Sequence, residues 1–407
     1  MKILWVKAGG LVPPDTGGKI RSYNILRELA RVHSVTFFSF YGAHDGDLHP
    51  DLKDMVERVV CVPLKLPPPK SLAEMRDYCI GLLSAQPYNI TKYCVAEVRR
   101  RLRALLQQET YDVILCDFLV AAGAIPWDWP TPKVIFTHNV EAAIWRRHYE
   151  VATNPGWKAI SWQEWRKMAA AERRYLRLAD HVLTVSETDR DAFAFFLDPE
   201  KLTVIPTGVD VDYFQPMPVE EIANSLVFTG SMDWLPNEDA ILYFVDAILP
   251  LIKAQCPDVS LEVVGRSPSR KLQALAEREK SMRLTGWVQD IRPFVARGAI
   301  CIVPLRIGGG TRLKIFEAMA MGKAVVSTLV GAEGLPVRGG ENILLADTPD
   351  DFAGSVISLL RDSSQRNRLG TSARALVQEK YSWPKVAESF ARALQDVIAR
   401  ATPATRK

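Results

Sequence analysis

Residues 304–334 contain the feature that most constrains the fold of this chain. The segment joins an apolar run at 299–303, which has the pattern of a buried parallel strand, to three glycines at 308–310. Thr311 stands at the N-cap position of a helix in which apolar residues recur at steps of three and four, and Gly322 ends that helix. A strand, a glycine loop and a helix in this order predict an α/β protein with a parallel sheet.

The glycine loop is suited to bind an anion, because bare backbone N–H groups and the helix dipole both favour negative charge there. Arg312 and Lys314 add two cations at a helix N-terminus, where the dipole disfavours them unless an anion is bound. Glu317 lies one turn further on and can reach hydroxyl groups. Together, the glycine loop, the two cations and Glu317 predict a phosphorylated, hydroxyl-bearing ligand. The alternative interpretation is a tight β–α turn whose Arg and Lys are solvated. The glycine spacing matches neither a Walker loop nor a dinucleotide fingerprint.

The same stretch carries a family resemblance. Residues 317–322 (EAMAMG) followed by Val325-Val326 match the second half of the pattern E-G-F-G-x-x-x-x-E-A-M-A-x-G-x-P-V-V. This pattern is typical of the donor-site segment in retaining GT-B glycosyltransferases of family 4. The first glutamate is absent, and Gly309 stands in its place. A branch of that family with the motif G-G-G-T-R-L-K-x-x-E-A-M-A is similar to this chain over nearly its whole length.

The resemblance implies a function as well as a fold. A family 4 enzyme moves a sugar from a nucleotide-diphosphate sugar to a glycan or lipid-linked acceptor, here in exopolysaccharide or cell-surface glycan synthesis. It needs no cofactor and no bound metal. Two alternatives stay open. One is a nucleotide-sugar 2-epimerase of the same fold, for which the sequence offers no convincing pair of cleft carboxylates. The other is an inactive sugar-nucleotide-binding protein that lost activity with the glutamate that Gly309 replaces.

Length and composition describe a two-domain globular protein. The chain has 407 residues, 48% of them hydrophobic and 24% charged, and its formal charge of +4 does not indicate nucleic-acid binding. Its six cysteines form no C-x-x-C pair, so we expect a reducing compartment without disulfides or a zinc site. Neither a signal peptide nor a transmembrane run is evident. We therefore expect a cytoplasmic protein, or one bound peripherally to the inner face of a membrane.

Strand-like and helical patterns alternate along the whole chain, which predicts two doubly wound sheets. The predicted strands are 2–7, 34–40, 59–64, 112–118, 133–138, 181–186 and 202–206, then 226–230, 260–265, 283–286, 299–305, 324–328 and 342–345. We assign 1–215 to an acceptor-side Rossmann-like domain and 216–382 to a donor-binding one. The resemblance implies a GT-B fold, in which the two domains face each other across a cleft and helix 383–400 packs back on the first.

The second predicted strand argues against a dehydrogenase. It ends in Tyr41-Gly42, without the Asp or Glu that would bind the ribose of NAD. Asp210 and Asp212 spell a D-x-D pattern, but they lie in a loop toward the hinge, so we predict no metal site.

Candidate site residues occur at strand ends, where open α/β sheets bind ligands. Gly17 and Gly18 open the first helix, and the resemblance places them near the donor phosphate and the acceptor; the alternative is a flexible turn. His138 ends a strand and resembles the family's active-site histidine beside the donor sugar. The predicted catalytic residues are His138, Lys314 and Glu317. The predicted donor-binding residues are Gly17, Gly18, Thr229, Gly230, Gly265, Arg266, Val288, Gly308, Gly309, Gly310, Thr311, Arg312, Lys314 and Glu317.

One part of the donor site departs from the family. Thr229-Gly230-Ser231 departs from the family's more common G-R, and the lysine usually found a few residues later is missing. We expect Arg312, Lys314 and Arg266 to supply the positive charge that the diphosphate needs. The backbone of Val288 is expected to contact the nucleotide base.

Two basic helical stretches, 95–106 and 157–177, combine apolar residues with clusters of arginine. Such helices can lie on an anionic membrane. The alternative is that their apolar faces pack on the sheet and their basic faces are solvated.

Overall fold

The computed structural model describes residues 1–14, 16–42, 50–68, 71–152, 154–307 and 313–401. They form two compact units. Unit 1 comprises Met1–Pro206 and the residues from Ala387 onward, and unit 2 comprises Thr207–Val386. The sequence boundary at 215/216 therefore lies inside unit 2. The reason is that Val209 N donates to Tyr381 O (2.8 Å), which ties the residues after 206 to unit 2.

Unit 1 contains a seven-stranded sheet in the order β3-β2-β1-β4-β5-β6-β7, with every neighbouring pair parallel. Predominantly apolar segments such as KILWVKA and VILCD form these strands. Such segments are expected because helices cover both faces of a parallel sheet. The strands are β1 Lys2–Ala8, β2 Ser34–Phe40, β3 Arg58–Val62, β4 Val113–Asp117, β5 Lys133–Phe136, β6 His181–Thr184 and β7 Leu202–Val204.

Unit 2 repeats this architecture with six parallel strands in the order β10-β9-β8-β11-β12-β13. Its strands are β8 Ser225–Thr229, β9 Ser260–Val264, β10 Met282–Leu284, β11 Ile300–Val303, β12 Ala324–Ser327 and β13 Leu344–Leu345. Each observed strand falls on one of the predicted strands. The prediction of two doubly wound parallel sheets is therefore confirmed.

Helices connect the strands. In unit 1 they are α1 Gly17–Ala30, α2 Pro50–Lys53, α3 Leu72–Leu82, α4 Tyr88–Thr91, α5 Ala96–Gln108, α6 Glu141–Val151, α7 Pro155–Leu178 and α8 Glu187–Ala194. In unit 2 they are α9 Leu235–Tyr243, α10 Leu249–Lys253, α11 Arg270–Arg278, α12 Arg292–Arg297, α13 Leu313–Ala320, α14 Pro349–Arg361 and α15 Ser363–Lys380. Short 3₁₀ segments cover Leu119–Ala124 and Pro199–Lys201, and a π-helical segment covers Phe244–Ile248.

The last helix, α16 Trp383–Ala401, begins in unit 2 and continues in unit 1. In unit 1, the ring of Phe390 stacks on Trp5 (6.0 Å between centroids) and meets Phe136 edge-on (5.1 Å). Trp5 and Phe136 lie on β1 and β5, so this part of the helix is anchored to the centre of the sheet of unit 1.

Each sheet has one point where the strand order reverses. In unit 1 the first strand, β1, lies between β2 and β4, and in unit 2 the first strand, β8, lies between β9 and β11. The connections leave in opposite directions at these positions, which opens a crevice at the carboxyl ends of the strands. These two switch points are where a ligand is expected in this type of sheet.

Candidate functional site

Six of the predicted donor residues of unit 2 lie around its switch point. Thr229 ends β8 and Gly230 follows it, while Gly265 and Arg266 follow the adjacent strand β9. The helix α13, which carries Lys314 and Glu317, follows β11 on the other side of β8. Residues far apart in the sequence are thus brought to one edge of one sheet.

Gly230 and Gly265 pack backbone against backbone. A Cβ atom on Gly265 would lie 1.7 Å from the carbonyl oxygen of Gly230, and the φ angle of Gly265 is +158°. Gly230 N donates to Val264 O (2.9 Å), which holds the two strand ends together. No side chain fits at Gly265, so the edge of the sheet presents bare backbone here.

Lys314 places its charge directly beside this bare backbone. Its Nζ lies 2.8 Å from Asn237 Oδ1 and 3.9 Å from the centroid of the Phe228 ring. A Cβ on Gly230 would approach the same Nζ to 2.7 Å. The ammonium group therefore occupies the space next to Gly230.

Glu317 is the carboxylate of this site. It lies one turn after Lys314 and keeps part of its surface exposed, yet burial of the carboxyl group raises its pKa to about 7 while Lys314 opposes the shift. Thr229, Lys314 and Glu317 line one small cavity of 10 Å³. Near neutral pH this carboxyl group exists in both protonation states.

Arg266 is oriented on the same edge by a neighbouring loop. Its Nε donates to Ser231 Oγ (2.9 Å), and Ser231 Oγ donates to Asp233 Oδ1 (2.5 Å). Val288 is half-buried in the segment after Gly286, whose φ angle is +70°. Five predicted donor residues, Gly308, Gly309, Gly310, Thr311 and Arg312, lie outside the described residues, and their roles stay predictions.

The switch point of unit 1 contains a dense polar cluster, which we call the His138 network. It consists of Trp5, Lys7, Arg21, Ser22, Asp117 and His138. His138 Nε2 lies 2.8 Å from Asp117 Oδ1, and its Nδ1 lies 3.0 Å from Arg21 Nη1. Asp117 also accepts hydrogen bonds from Ser22 Oγ (3.0 Å) and Trp5 Nε1 (3.1 Å), and its Oδ2 lies 3.3 Å from Lys7 Nζ.

Burial and the neighbouring charges together set the protonation states in this network. Burial lowers the pKa of His138 to about 4 and that of Arg21 to about 10, and Asp117 opposes both shifts. Burial would raise the pKa of Asp117, but Lys7, His138 and Ser22 together hold it well below its usual value. Since His138 is neutral and Arg21 can only donate, Nε2–H donates to Asp117 and Nδ1 accepts from Arg21. The imidazole ring thus uses both of its nitrogens inside the protein.

The glycines of α1 differ in what surrounds them. A Cβ on Gly18 would lie 2.4 Å from Cζ of Phe118, whereas a Cβ on Gly17 would meet nothing within 4 Å. Phe118 in turn stacks on His138, with 3.6 Å between ring centroids and an angle of 6°. Gly18 therefore gives room to the aromatic ring that covers His138, and Gly17 faces open space.

Comparison with known families identifies this arrangement. Residues 16–213 match the family described as Glycosyltransferase Family 4, and residues 223–362 match the family described as Glycosyl transferases group 1. The chain belongs to these glycosyltransferases. The two matched segments together span most of the chain and fall on the two switch points in turn.

Individual proteins are also similar to this chain, at sequence identities between 17% and 28%. An uncharacterized 44.6 kDa protein in the cps region of Klebsiella pneumoniae is 21% identical over 325 residues, which are 76% of this chain and 82% of that protein. The MMP alpha-(1->4)-mannosyltransferase of Mycolicibacterium hassiacum is 28% identical over 267 residues, 62% of this chain and 63% of that enzyme. The crystal structure of Anabaena HepE in complex with UDP and glucose has a TM-score of 0.65 at 17% identity, covering 97% of this chain and 99% of that one. This likeness shows that the glycosyltransferase chain has the GT-B fold.

The sequence analysis missed several residues that build these sites. Asp117 is the centre of the His138 network, but the sequence analysis did not single it out within the predicted strand 112–118. Asn237, which holds Lys314, was not considered at all. A signal for Asp117 exists, because a lone carboxylate ends the apolar strand VILCD at the same sheet edge as His138. Nothing local marks Asn237, since its partner is 77 residues away.

Among the described residues, no group of three or more His, Cys, Asp or Glu side chains is placed to hold a metal ion. Within the same ranges, every helix is too short or too polar to cross a membrane. On α5 the apolar face, formed by Val98, Leu102, Leu105 and Leu106, is buried in the core of unit 1. The face of α5 that could have entered a lipid surface is therefore used for packing.

Proposed function

We propose that this glycosyltransferase is a retaining, metal-independent enzyme that transfers a sugar from a nucleotide-diphosphate sugar. The acceptor is a glycan or a lipid-linked glycan, and the setting is exopolysaccharide or cell-surface glycan synthesis. A structural neighbour binds UDP and glucose, and one relative is encoded in a cps region, which supports both parts of the proposal. We therefore choose a uridine nucleotide as the first donor to test.

The observation that carries the proposal is the position of Lys314 against bare backbone at the switch point of unit 2. Lys314 Nζ lies 2.7 Å from the position that a Cβ atom on Gly230 would occupy. A cation at this place can bind the oxygens of a diphosphate as they approach the backbone. Glu317, one turn further along α13, is then placed to accept hydrogen bonds from the ribose hydroxyl groups. Arg266, at the end of the adjacent strand, adds a further cation on the same edge.

In the proposed reaction, the bond between the anomeric carbon and the diphosphate oxygen breaks, and its electron pair stays on that oxygen. The acceptor hydroxyl oxygen bonds to the anomeric carbon on the same face of the sugar, and its proton passes to the departing diphosphate. Lys314 stabilises the negative charge that develops on the leaving group, which is the stage at which binding energy accelerates a reaction. No protein nucleophile is needed.

His138 has a supporting role in this proposal. Its ring is neutral and both nitrogens are bonded within unit 1, so it is not a proton donor to the substrate. We propose that it positions Arg21 and the start of α1, and with them the backbone of Gly17, beside the donor sugar and phosphate. This makes His138 a positioning residue.

We also propose a peripheral contact with anionic membrane through α7. Both acidic residues of this helix, Glu164 and Glu172, are buried, whereas its exposed basic residues are Lys158, Arg166, Arg173, Arg174 and Arg177. Trp162 is 47% exposed on the same helix. A basic helix with an exposed tryptophan is suited to an anionic lipid surface. In a flotation assay the protein should bind vesicles containing phosphatidylglycerol but not phosphatidylcholine vesicles, and Arg166→Glu with Arg173→Glu should abolish the binding.

The function is tested by measuring nucleotide release from UDP-, GDP- and ADP-sugars, followed by an acceptor panel. We expect one sugar nucleotide to be hydrolysed slowly without acceptor and to be consumed faster with the correct acceptor. Lys314→Ala should lower both rates, and Lys271→Ala, which changes an exposed lysine on α11, should lower neither. Formation of an epimerised sugar nucleotide, or binding without turnover, would contradict the proposed transfer.

A further inference from the structure

Unit 1 contains a cavity that is larger than the one lined by Thr229, Lys314 and Glu317 in unit 2. None of its lining residues belongs to the His138 network. Its volume is 510 Å³, and it lies where β1, β2 and β3 end. We call it the Tyr–Lys cavity. Its aromatic and charged lining residues are Tyr41, Lys65, Glu74, Tyr88, Lys92 and Tyr93, and the aliphatic residues Leu64, Leu66, Pro67 and Pro68 complete the wall, with Gly9 at the end of β1 and Gly42 after β2. Its volume is in the range of small-molecule sites, and its position is at the ligand-binding edge of the sheet.

The aromatic walls of the Tyr–Lys cavity are held in place from behind. Tyr93 meets Phe40 of β2 edge-on (6.0 Å, 70°), and Tyr88 meets Tyr78 of α3 edge-on (5.0 Å, 68°). Rigid tyrosine rings bind ligands at low entropic cost and combine an apolar face with a hydroxyl group. A ligand with both apolar C–H faces and hydroxyl groups, such as a saccharide, matches these walls.

The charge of the cavity is set by two lysines and one glutamate, which leaves it with a net positive charge. Lys92 Nζ lies over the rings of Tyr88 (5.5 Å) and Tyr93 (5.3 Å). In the described part of the chain this ammonium group has no ion pair or hydrogen bond, and Glu74 acts on it only at longer range. Burial lowers the pKa of Lys92, which reflects the cost of removing its charge from water. A bound anion would offset that cost.

We propose that the Tyr–Lys cavity binds the acceptor, and that this acceptor is a glycoside bearing an anionic group. Lys92 and Lys65 bind the anion, which is either the carboxylate of a uronic acid or a phosphate, and the tyrosines bind the sugar. The inference rests on the proposed function, because it names the acceptor class of the same transferase. It adds a specificity site in unit 1 that the donor residues of unit 2 do not supply.

The test uses the full chain with UDP present and three probes in NMR titrations: methyl glucuronide, glucose 1-phosphate and methyl glucoside. We expect at least one anionic probe to bind about tenfold tighter than the neutral glucoside, since charge-assisted hydrogen bonds are roughly twice as strong as neutral ones. Comparing the first two probes distinguishes carboxylate from phosphate. Equal binding of all three probes would overturn the proposal.

Variants assign the preference to the cavity. Lys92→Met should remove the preference for the anionic probe, and Lys65→Met should reduce it. Lys53→Met, which changes an exposed lysine of α2 outside the cavity, should preserve it. Lys65 is itself exposed, so its variant tests the proposal even if Lys92→Met does not fold. An unchanged preference in folded Lys92→Met and Lys65→Met would refute the assignment.

Donor hydrolysis separates this inference from the proposed function. Lys92→Met and Lys65→Met should hydrolyse the sugar nucleotide at the wild-type rate, because neither lysine is among the residues proposed to bind the donor. If the wild type hydrolyses the donor but shows no anionic preference, the acceptor inference fails and the transferase function stands. If no sugar nucleotide is bound or turned over, the transferase function fails, and the acceptor assignment fails with it whatever the probes do.

Discussion

The two switch points of this protein have the same topology but differ in how their charged side chains are paired. In unit 1, Lys7, Arg21, Asp117 and His138 are all at most 5% exposed, and they satisfy one another through short polar contacts. In unit 2, Lys314 is half-buried beside glycine backbone. A buried network that is internally paired stabilises its domain, whereas a cation next to bare backbone can bind an external anion. One fold position therefore holds an internally paired network in unit 1, and in unit 2 it holds the cation that we propose binds the diphosphate.

The largest expected effect comes from breaking the network of unit 1. Asp117→Asn removes the charge that balances Lys7 and replaces one of the two acceptor oxygens by an NH2 donor, so His138, Ser22 and Trp5 can no longer all donate to this side chain. Loss of one partner of a buried ion pair costs about 3–5 kcal/mol in free energy of unfolding. Urea denaturation followed by circular dichroism measures this loss. The matched control is Asp128→Asn, which changes an exposed partner of Arg103 and should leave stability nearly unchanged. Similar stability of the two variants would mean that the network is not structural.

Removing the cation of unit 2 should instead affect activity. Lys314→Ala is expected to lower donor turnover about 10²-fold or more, because it removes charge stabilisation from the leaving group. Its free energy of unfolding should change far less than that of Asp117→Asn. Steady-state kinetics with the best donor from the nucleotide screen gives the answer. Wild-type turnover in Lys314→Ala would end the proposal that unit 2 holds the diphosphate.

The two glycines at the start of α1 provide a matched pair. Gly18→Ala forces its Cβ to within 2.4 Å of Phe118 Cζ and should displace that ring from His138, at a cost of about 1–3 kcal/mol. Gly17→Ala meets nothing within 4 Å and should be neutral or slightly stabilising, since alanine favours helix. Thermal unfolding of both variants compares them directly. Equal melting temperatures would show that Phe118 adjusts without loss.

A smaller effect is expected from the titration of Glu317. Its pKa is raised from 4.5 to about 7, so it loses its proton as the pH rises through 7. Ribose hydroxyls donate to the ionised carboxylate, so donor affinity should rise from pH 6 to pH 8, by up to about tenfold per pH unit below the pKa. Isothermal titration with UDP at several pH values measures this rise.

The control for that titration is Glu317→Gln, whose donor affinity should be independent of pH in this range. A raised carboxyl pKa also means that the contribution of this group to stability is complete below pH 4.5 and is lost as the pH rises through 7. Glu317→Gln should therefore be at least as stable as the wild type at pH 8. A pH-dependent affinity that persists in this variant would assign the titration to another group.

Local sequence patterns were sufficient for much of the fold. Apolar runs separated by helical periodicity predicted each strand, because a strand buried on both faces must be apolar over its own length. The EAMAMG segment and the residues before it also drew attention to Lys314 and Glu317, which the structure places on α13 beside the switch point of unit 2. The domain boundary was less well placed, since the residues after Pro206 pair with Tyr381 and Ser382, more than 170 residues away.

The sequence alone therefore determined the two parallel sheets, the edge where each is open, and the charged residues of α13. Only the tertiary structure decided that His138 is bonded on both sides, to Asp117 and to Arg21, which are 21 and 117 residues away in the chain. It also decided that Lys314 lies against Gly230, and that Lys92 lies over two tyrosines. The physical reason is that apolar periodicity is a local property, whereas the partner of a buried charge is set by strand order and register.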